Sequence, residues 1–276
     1  MSAHTRTILL SLSTIGIGLI TYQHLRLCSL YPDLPVLPQV DISNRKNRSY
    51  SNKEWTNCEV GDSWAVRAPL DHLNRNRGAG DVGKEWNRCF WTTWPLRLEG
   101  RLSGIVKSIV GSSYGSATGK EVDLGRGGFE VDPGDTLLNG LFTVESLDPI
   151  PLPLNGTSQT QTQITYSWGS LSPPSSPTSH PYIPIKGGYH TLSVLPTSSL
   201  NGSTDHSKEK EGDKTDYVYL VFTAQGVSTR SRGDERVGIL DDLFISFHKA
   251  YSRVLIHLTI RNMGLSKQVE RVEHWP

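Results

Sequence analysis

Apolar residues recur at helical spacing near the end of the chain, where Leu243, Phe244, Phe247, Tyr251, Val254, Leu255 and Leu258 form one stripe. That i, i+3, i+4, i+7 pattern predicts a long amphipathic helix over residues 240–263. Asp241 and Asp242 fall in its first turn, where the helix dipole favours acids, and Gly264 stands where a C-cap glycine belongs. Val82, Trp86, Cys89, Phe90 and Trp94 predict a second helical stretch, which Pro95 stops before a continuation over 96–110. Elsewhere the period falls to two. Residues 63–68 alternate loosely up to Pro69 and predict a first strand, and residues 141–144, 163–168 and 189–195 predict three more. Ile164, Tyr166 and Trp168 share one face of their strand. Residues 216–223 are apolar or aromatic on both faces, as expected of a strand covered on both sides.

The N-terminus follows neither period. No charged residue interrupts 7–22, and the apolar run extends to Leu25. About nineteen residues at 1.5 Å rise span roughly 28 Å, close to the thickness of a hydrocarbon core. Arg6 and Arg26 flank the run, and Tyr22 suits the headgroup level. These features predict an uncleaved, single-pass membrane anchor within residues 1–30. A signal peptide would want a small-x-small cleavage site, which residues 23–27 do not offer. A mitochondrial presequence is the third reading, because no acid precedes Asp33 and Ser and Thr are frequent. An endomembrane location is favoured, with a mitochondrial membrane as the alternative. Basic residues lie on both sides of the run, so they leave its orientation open.

Pro32, Pro35 and Pro38 make residues 31–54 read as an extended tether, and a single α+β domain is expected over 55–276. Two polar stretches, 169–181 and 197–215, read as surface insertions, and the glycine-rich 111–128 as a loop. Asn47, Asn155 and Asn201 begin glycosylation sequons, which lean slightly towards a lumenal domain.

Charge excludes more than it suggests. Lys and Arg total 28 against 27 Asp and Glu, so no basic surface of the kind that follows nucleic acid is expected. The cysteines are Cys28, Cys58 and Cys89, too few and too widely spaced for a disulfide scaffold or a paired-cysteine zinc site. One Cys58–Cys89 bridge and two separate thiols both remain open, and Cys28 is a juxtamembrane candidate for palmitoylation.

No catalytic constellation emerges. Gly111-Ser112-Ser113-Tyr114-Gly115 has the nucleophile-elbow spacing, but further glycines follow where a helix should supply the oxyanion-hole amide. The glycines around Arg126, and Gly119-Lys120, lack the spacing of a phosphate-binding loop. Nine histidines are scattered, with no pair at metal-ligand spacing. His190 shares a strand face with Leu192 and Val194, which is more often the position of a core residue than of a base. His248 and Arg253 fit either a cavity mouth or the solvent face of the last helix. Neither a cofactor nor a metal ligand set is read from these patterns, and a noncatalytic role is favoured.

The order of elements is a strand, a helical stretch, antiparallel strands with long hairpins and a long final helix. The segments 217–222, 238–240 and 247–253, with 61–67 and 192–195 before them, resemble an uncharacterised branch of the START-like, polyketide-cyclase-like superfamily. The resemblance covers most of residues 61–263. It implies a helix-grip fold, in which a curved antiparallel sheet wraps the last helix around a cavity for lipids or other apolar molecules. Tyr166, Trp168, Tyr219 and Phe247 are the expected cavity-lining residues. The expectation is therefore a membrane-anchored binding domain for an apolar small molecule or lipid. Its alternatives are a cyclase- or hydrolase-like enzyme using the same cavity, and a membrane-tethered scaffold.

Overall fold

The computed structural model describes residues 21–38, 40, 60–75, 81–110, 119–124, 129–154, 157–169, 185–197, 217–228 and 238–275. Residues 1–20, most of the tether, Cys58, the sequons at Asn47, Asn155 and Asn201, the Gly111–Gly115 segment and most of both polar insertions lie outside that set. Among the described residues no helix is long and apolar enough to cross a membrane.

The fold is α+β. Residues 21–30 are helical and are denoted α1. They precede β1 (Val60–Pro69), α2 (Leu70–Arg75), α3 (Val82–Trp91), α4 (Trp94–Val110), β2 (Thr136–Leu137), β3 (Phe142–Leu154), β4 (Thr157–Gly169), β5 (Ile185–Pro196), β6 (Tyr217–Ser228), α5 (Gly238–Asn262) and β7 (Glu270–Arg271). The strands form one curved antiparallel sheet in the order β2-β3-β4-β5-β6-β1-β7. Consecutive strands from β2 to β6 are neighbours, and the long β1–β6 pairing, Val60 opposite Gly226 to Pro69 opposite Tyr217, brings the first strand back beside the last long one.

Alternation assigns the two faces. Trp64, Val66 and Ala68 of β1, Ile164 and Tyr166 of β4, Leu192 and Val194 of β5, and Leu220 and Phe222 of β6 point to one side. There they join Trp86, Phe90 and Trp91 of α3 and Leu255, Ile256 and Ile260 of α5 in the main core. Aromatic rings run through it: Trp64 stacks on Phe222 at 5.6 Å, and Phe222 meets Phe90 at 4.9 Å. On the opposite face, hydroxyl groups pair across the buried centre of the sheet. Ser63 bonds Thr223 at 2.8 Å, and Thr165 bonds Thr191 at 3.2 Å. Beside them Ala65, Leu195, Tyr219 and Val221 form a second apolar cluster with Leu34, Leu37, Val40 and Val272. Strand β6 is thus covered on both faces, as its unbroken apolar sequence predicts.

The helix ends follow local rules. Asp81 caps α3 by accepting from Lys84 N, and it also accepts from the Thr162 backbone and hydroxyl of β4, fastening the helix to the sheet. Gly83 permits the contact, since a Cβ there would lie 2.3 Å from Thr162 O. Helix α5 ends in a Schellman motif: Gly264, at φ +73, donates to Arg261 O, and Leu265 N donates to Ile260 O. The helical stretch expected over 82–94 stops at Trp91, with Thr92 and Thr93 capping it and Trp94 opening α4.

The proline-rich start of the segment read as a tether packs on the domain. Leu34 and Ser63 exchange backbone hydrogen bonds at 2.8 and 2.9 Å, and Tyr31, Leu34, Leu37 and Val40 are buried against it. The prolines hold the segment extended, and an extended segment can lie along a sheet as readily as leave it. Asp33 completes the attachment, accepting from Trp64 Nε1 at 2.9 Å and from Arg253 of α5 at 2.6 Å.

Candidate functional site

The inner face of β4 and β5 meets α5 at a group of polar side chains within the aromatic core. His190 stands on β5 between Phe142, Trp168 and Phe222, with ring centroids at 5.5, 6.1 and 5.2 Å. His248, in the N-terminal half of α5, faces it at 5.6 Å, and Trp168 lies nearly parallel to the His248 ring at 6.3 Å. Strand periodicity places His190 and Leu192 on the same inner face. Helical periodicity aims His248 and Tyr251, three residues apart, towards the sheet and α4.

Burial sets the protonation of this group. His190 is almost fully buried, and its pKa lies well below the ordinary value because burial, and then the neighbouring His248, disfavour the imidazolium. Burial lowers His248 as well, against an opposing pull from Asp62. At neutral pH His190 is therefore a neutral imidazole, offering one N–H donor and one acceptor.

Several of these polar atoms are not satisfied among the described residues. Both ring nitrogens of His190 and Nε1 of Trp168 are buried and have no hydrogen-bond partner among the described residues, whereas Nε1 of Trp91 and the Tyr251 hydroxyl have the Tyr166 hydroxyl and the Glu99 carboxylate beside them, outside good hydrogen-bond geometry. A buried polar group left in that condition costs about 1–3 kcal/mol. The Tyr251 hydroxyl lies near the Glu99 carboxylate of α4 without a well-formed hydrogen bond to it. Burial, followed by that carboxylate, pushes the phenol upward, and burial likewise raises Glu99.

Tyr166 and Trp168, both expected to line a cavity, do face this interior. Tyr166 belongs to the packing around the site, since its hydroxyl donates to Asn87 Oδ1 at 2.8 Å and its ring abuts Trp91 at 4.7 Å. Trp168 is a direct member. The other two expected lining residues are elsewhere. Tyr219 has the opposite strand parity and lies in the second cluster, on the far face of the sheet, with its ring 6.1 Å from Trp275. Phe247 is 65% exposed on the surface of α5, its ring parallel to that of Tyr251 at 6.1 Å.

Sequence reasoning discounted His190, because a single histidine between apolar strand positions usually belongs to a core. Its separation from His248 by 58 positions conceals their proximity. Arg253, placed by sequence at either a cavity mouth or the solvent face, is buried and held by Tyr31 O and Asp33. Cys89 donates its thiol hydrogen to Glu85 Oε1 at 3.0 Å.

The arrangement suits recognition of a polar group in apolar surroundings. No set of three or more His, Cys, Asp and Glu side chains among the described residues converges as metal ligands. Lys249 and Arg253, the cations of α5 nearest the histidines in sequence, are engaged away from the site, Lys249 by Asp62 and Asp33 and Arg253 by Asp33. Donors and acceptors are thus offered by neutral rings, a pattern matched by a hydroxyl or carbonyl oxygen better than by a carboxylate. Comparison of the chain with protein-family models, with curated proteins and with solved structures yields no match, so this geometry is the basis on which a function is assigned.

Proposed function

We propose that this chain is a membrane-attached binding protein that holds one uncharged, largely apolar small molecule or lipid between the sheet and α5, with a hydroxyl or carbonyl group against His190 and Trp168. The observation that carries the reading is the group of buried ring nitrogens on Trp168 and His190 that have no hydrogen-bond partner among the described residues, within a single aromatic core. Buried polar groups in proteins are nearly always hydrogen-bonded, and a cluster of exceptions is accounted for by a bound molecule that supplies the partners. The resemblance of the element order to helix-grip proteins of the START-like superfamily supports the same placement. The apolar run before α1 supports attachment to a membrane, where such a ligand resides.

The test is native mass spectrometry of the full chain extracted in mild detergent, followed by analysis of the released small molecules. One neutral molecule per chain is expected, with occupancy lost in His190→Leu and Trp168→Phe variants that keep the native circular dichroism. A folded chain that carries nothing, and takes up neither sterol, fatty alcohol nor diacylglycerol from mixed micelles, would overturn the reading.

A further inference from the structure

Helix α4 presents an apolar face that nothing among the described residues covers. Trp94, Leu98, Leu102 and Ile105 are between 48% and 65% exposed, although each is large and hydrophobic. At 100° per residue the four fall within about 80° of arc. On the inward side Leu96 is buried and Gly100 abuts Leu138, so α4 is seated on the domain by the opposite face. Two more exposed apolar residues belong to neighbouring elements. Leu141 follows the loop whose Leu138 and Asn139 abut Gly100 and Gly104. Phe247 stacks on Tyr251, which in turn lies beside Glu99 of α4.

Charge identifies the covering surface. Arg97 and Arg101 are exposed along one edge of the stripe, and neither pairs with an acid among the described residues. Glu99, the single acid of α4, points to the other side, towards Tyr251. A helix with Trp, Leu and Ile on one arc and arginines at its rim has the composition of one lying in a membrane interface, its apolar side chains among the acyl chains and its cations at anionic headgroups. At 17 residues with several charges, α4 is unsuited to crossing the bilayer. The uncharged stretch 7–22, which leads into α1, would hold the domain at the same surface.

We propose that the Trp94–Leu98–Leu102–Ile105 face of α4 docks on the surface of a bilayer containing anionic lipid. The proposal rests on the membrane attachment inferred above and is independent of the bound ligand. Docking there would put the seam between α4 and α5, marked by Glu99, Tyr251 and Phe247, beside the lipid.

The experiment uses the full chain with Cys28→Ser, Cys58→Ser and Leu98→Cys substitutions, labelled at residue 98 with an environment-sensitive fluorophore. It is incorporated into phosphatidylcholine vesicles with and without phosphatidylserine. The expected result is a blue-shifted emission in the anionic vesicles, quenching by brominated acyl chains, and loss of both on Leu102→Glu while the chain still floats with the vesicles. A fluorophore that stays in water on a chain that floats would overturn docking and leave the N-terminal attachment standing. A chain that fails to float would overturn both. A fluorophore shielded from water but not quenched by brominated acyl chains would show the face covered by protein, either a second copy or the chain's own N-terminal segment, and would likewise overturn the proposal.

Discussion

His190 of β5 and His248 of α5 face each other with ring centroids 5.6 Å apart, and burial keeps both less basic than a histidine in water. The consequence for stability has a definite sign. Below the ordinary histidine value of 6.5 the unfolded chain takes up a proton at His190 that the folded chain does not. Stability from this group is complete above that value and is lost as pH falls towards the depressed folded one. The loss from one such group is at most about 1.4 kcal/mol per pH unit. Urea denaturation should therefore show a lower stability at pH 5.5 than at pH 7.5, and His190→Phe should reduce that difference by about 1 kcal/mol. An unchanged difference in the variant would show that His190 takes up its proton in the folded chain.

Asp33 should carry much of the attachment between residues 31–40 and the domain. It holds Arg253, which is buried, as well as Trp64 and Lys249. Removing its charge leaves the guanidinium poorly compensated. Because the Asp33 side chain is about one-third exposed, the cost should be lower than for a fully buried pair, about 1–3 kcal/mol for Asp33→Ala. Proteolysis within 31–40 should accelerate in parallel. A variant with wild-type stability and wild-type protection would mean that the apolar contacts of Leu34, Leu37 and Val40 suffice.

Asp81 combines two tasks in one carboxylate, capping α3 and binding Thr162. Asp81→Ala should cost about 2 kcal/mol, more than Thr162→Val, which leaves the cap in place. Equal losses in the two variants, read from denaturation midpoints, would place the whole effect in the contact with β4.

The four aromatic residues expected to line a cavity now separate into testable pairs. Trp168→Leu should weaken ligand binding by about tenfold, which corresponds to 1.4 kcal/mol. Tyr219→Leu, on the other face of the sheet, should leave affinity unchanged while lowering stability. Phe247→Ser should change stability by less than about 0.5 kcal/mol, as expected of an exposed position. Fluorescence titration and denaturation of the same three variants provide the check. Loss of affinity in Tyr219→Leu would place the ligand on the wrong side of the sheet for the reading advanced above.

Several elements were legible from local pattern. The stripe from Leu243 to Leu258 marked α5, and Gly264 marked its end, because a helix must turn one face inward and a left-handed C-cap costs glycine little. The alternation of Ile164 and Tyr166, and of Leu192 and Val194, placed those side chains on a common face, because strand geometry has a period of two. The strands themselves extend further than expected. Predicted over 141–144 and 163–168, they run as Phe142–Leu154 and Thr157–Gly169, and Pro149, Pro151 and Pro153 lie within β3. Their polar and proline-rich outer halves carry no apolar alternation from which pairing could be read. The two-residue strands β2 and β7 were missed for the same reason: their existence depends on the partners beside them.

The sequence by itself determined where the longer helices and the apolar parts of the main strands lie, which residues of each point the same way, and that a long uncharged run stands at the N-terminus. These properties follow from periodicity and transfer energy along a single element. Tertiary structure alone decided that β1 pairs with β6, that residues 31–40 lie against the sheet, that Tyr219 and Tyr166 face opposite ways, and that His190 meets His248. Each of these joins positions whose separation along the chain carries no local signal. Parity fixes the side chains within a strand, but only the packing of α3 and α5 determines which face becomes the main core. For that reason the placement of His190 beside Trp168 and His248, the site from which a function is argued, could not be read from any one of these residues alone.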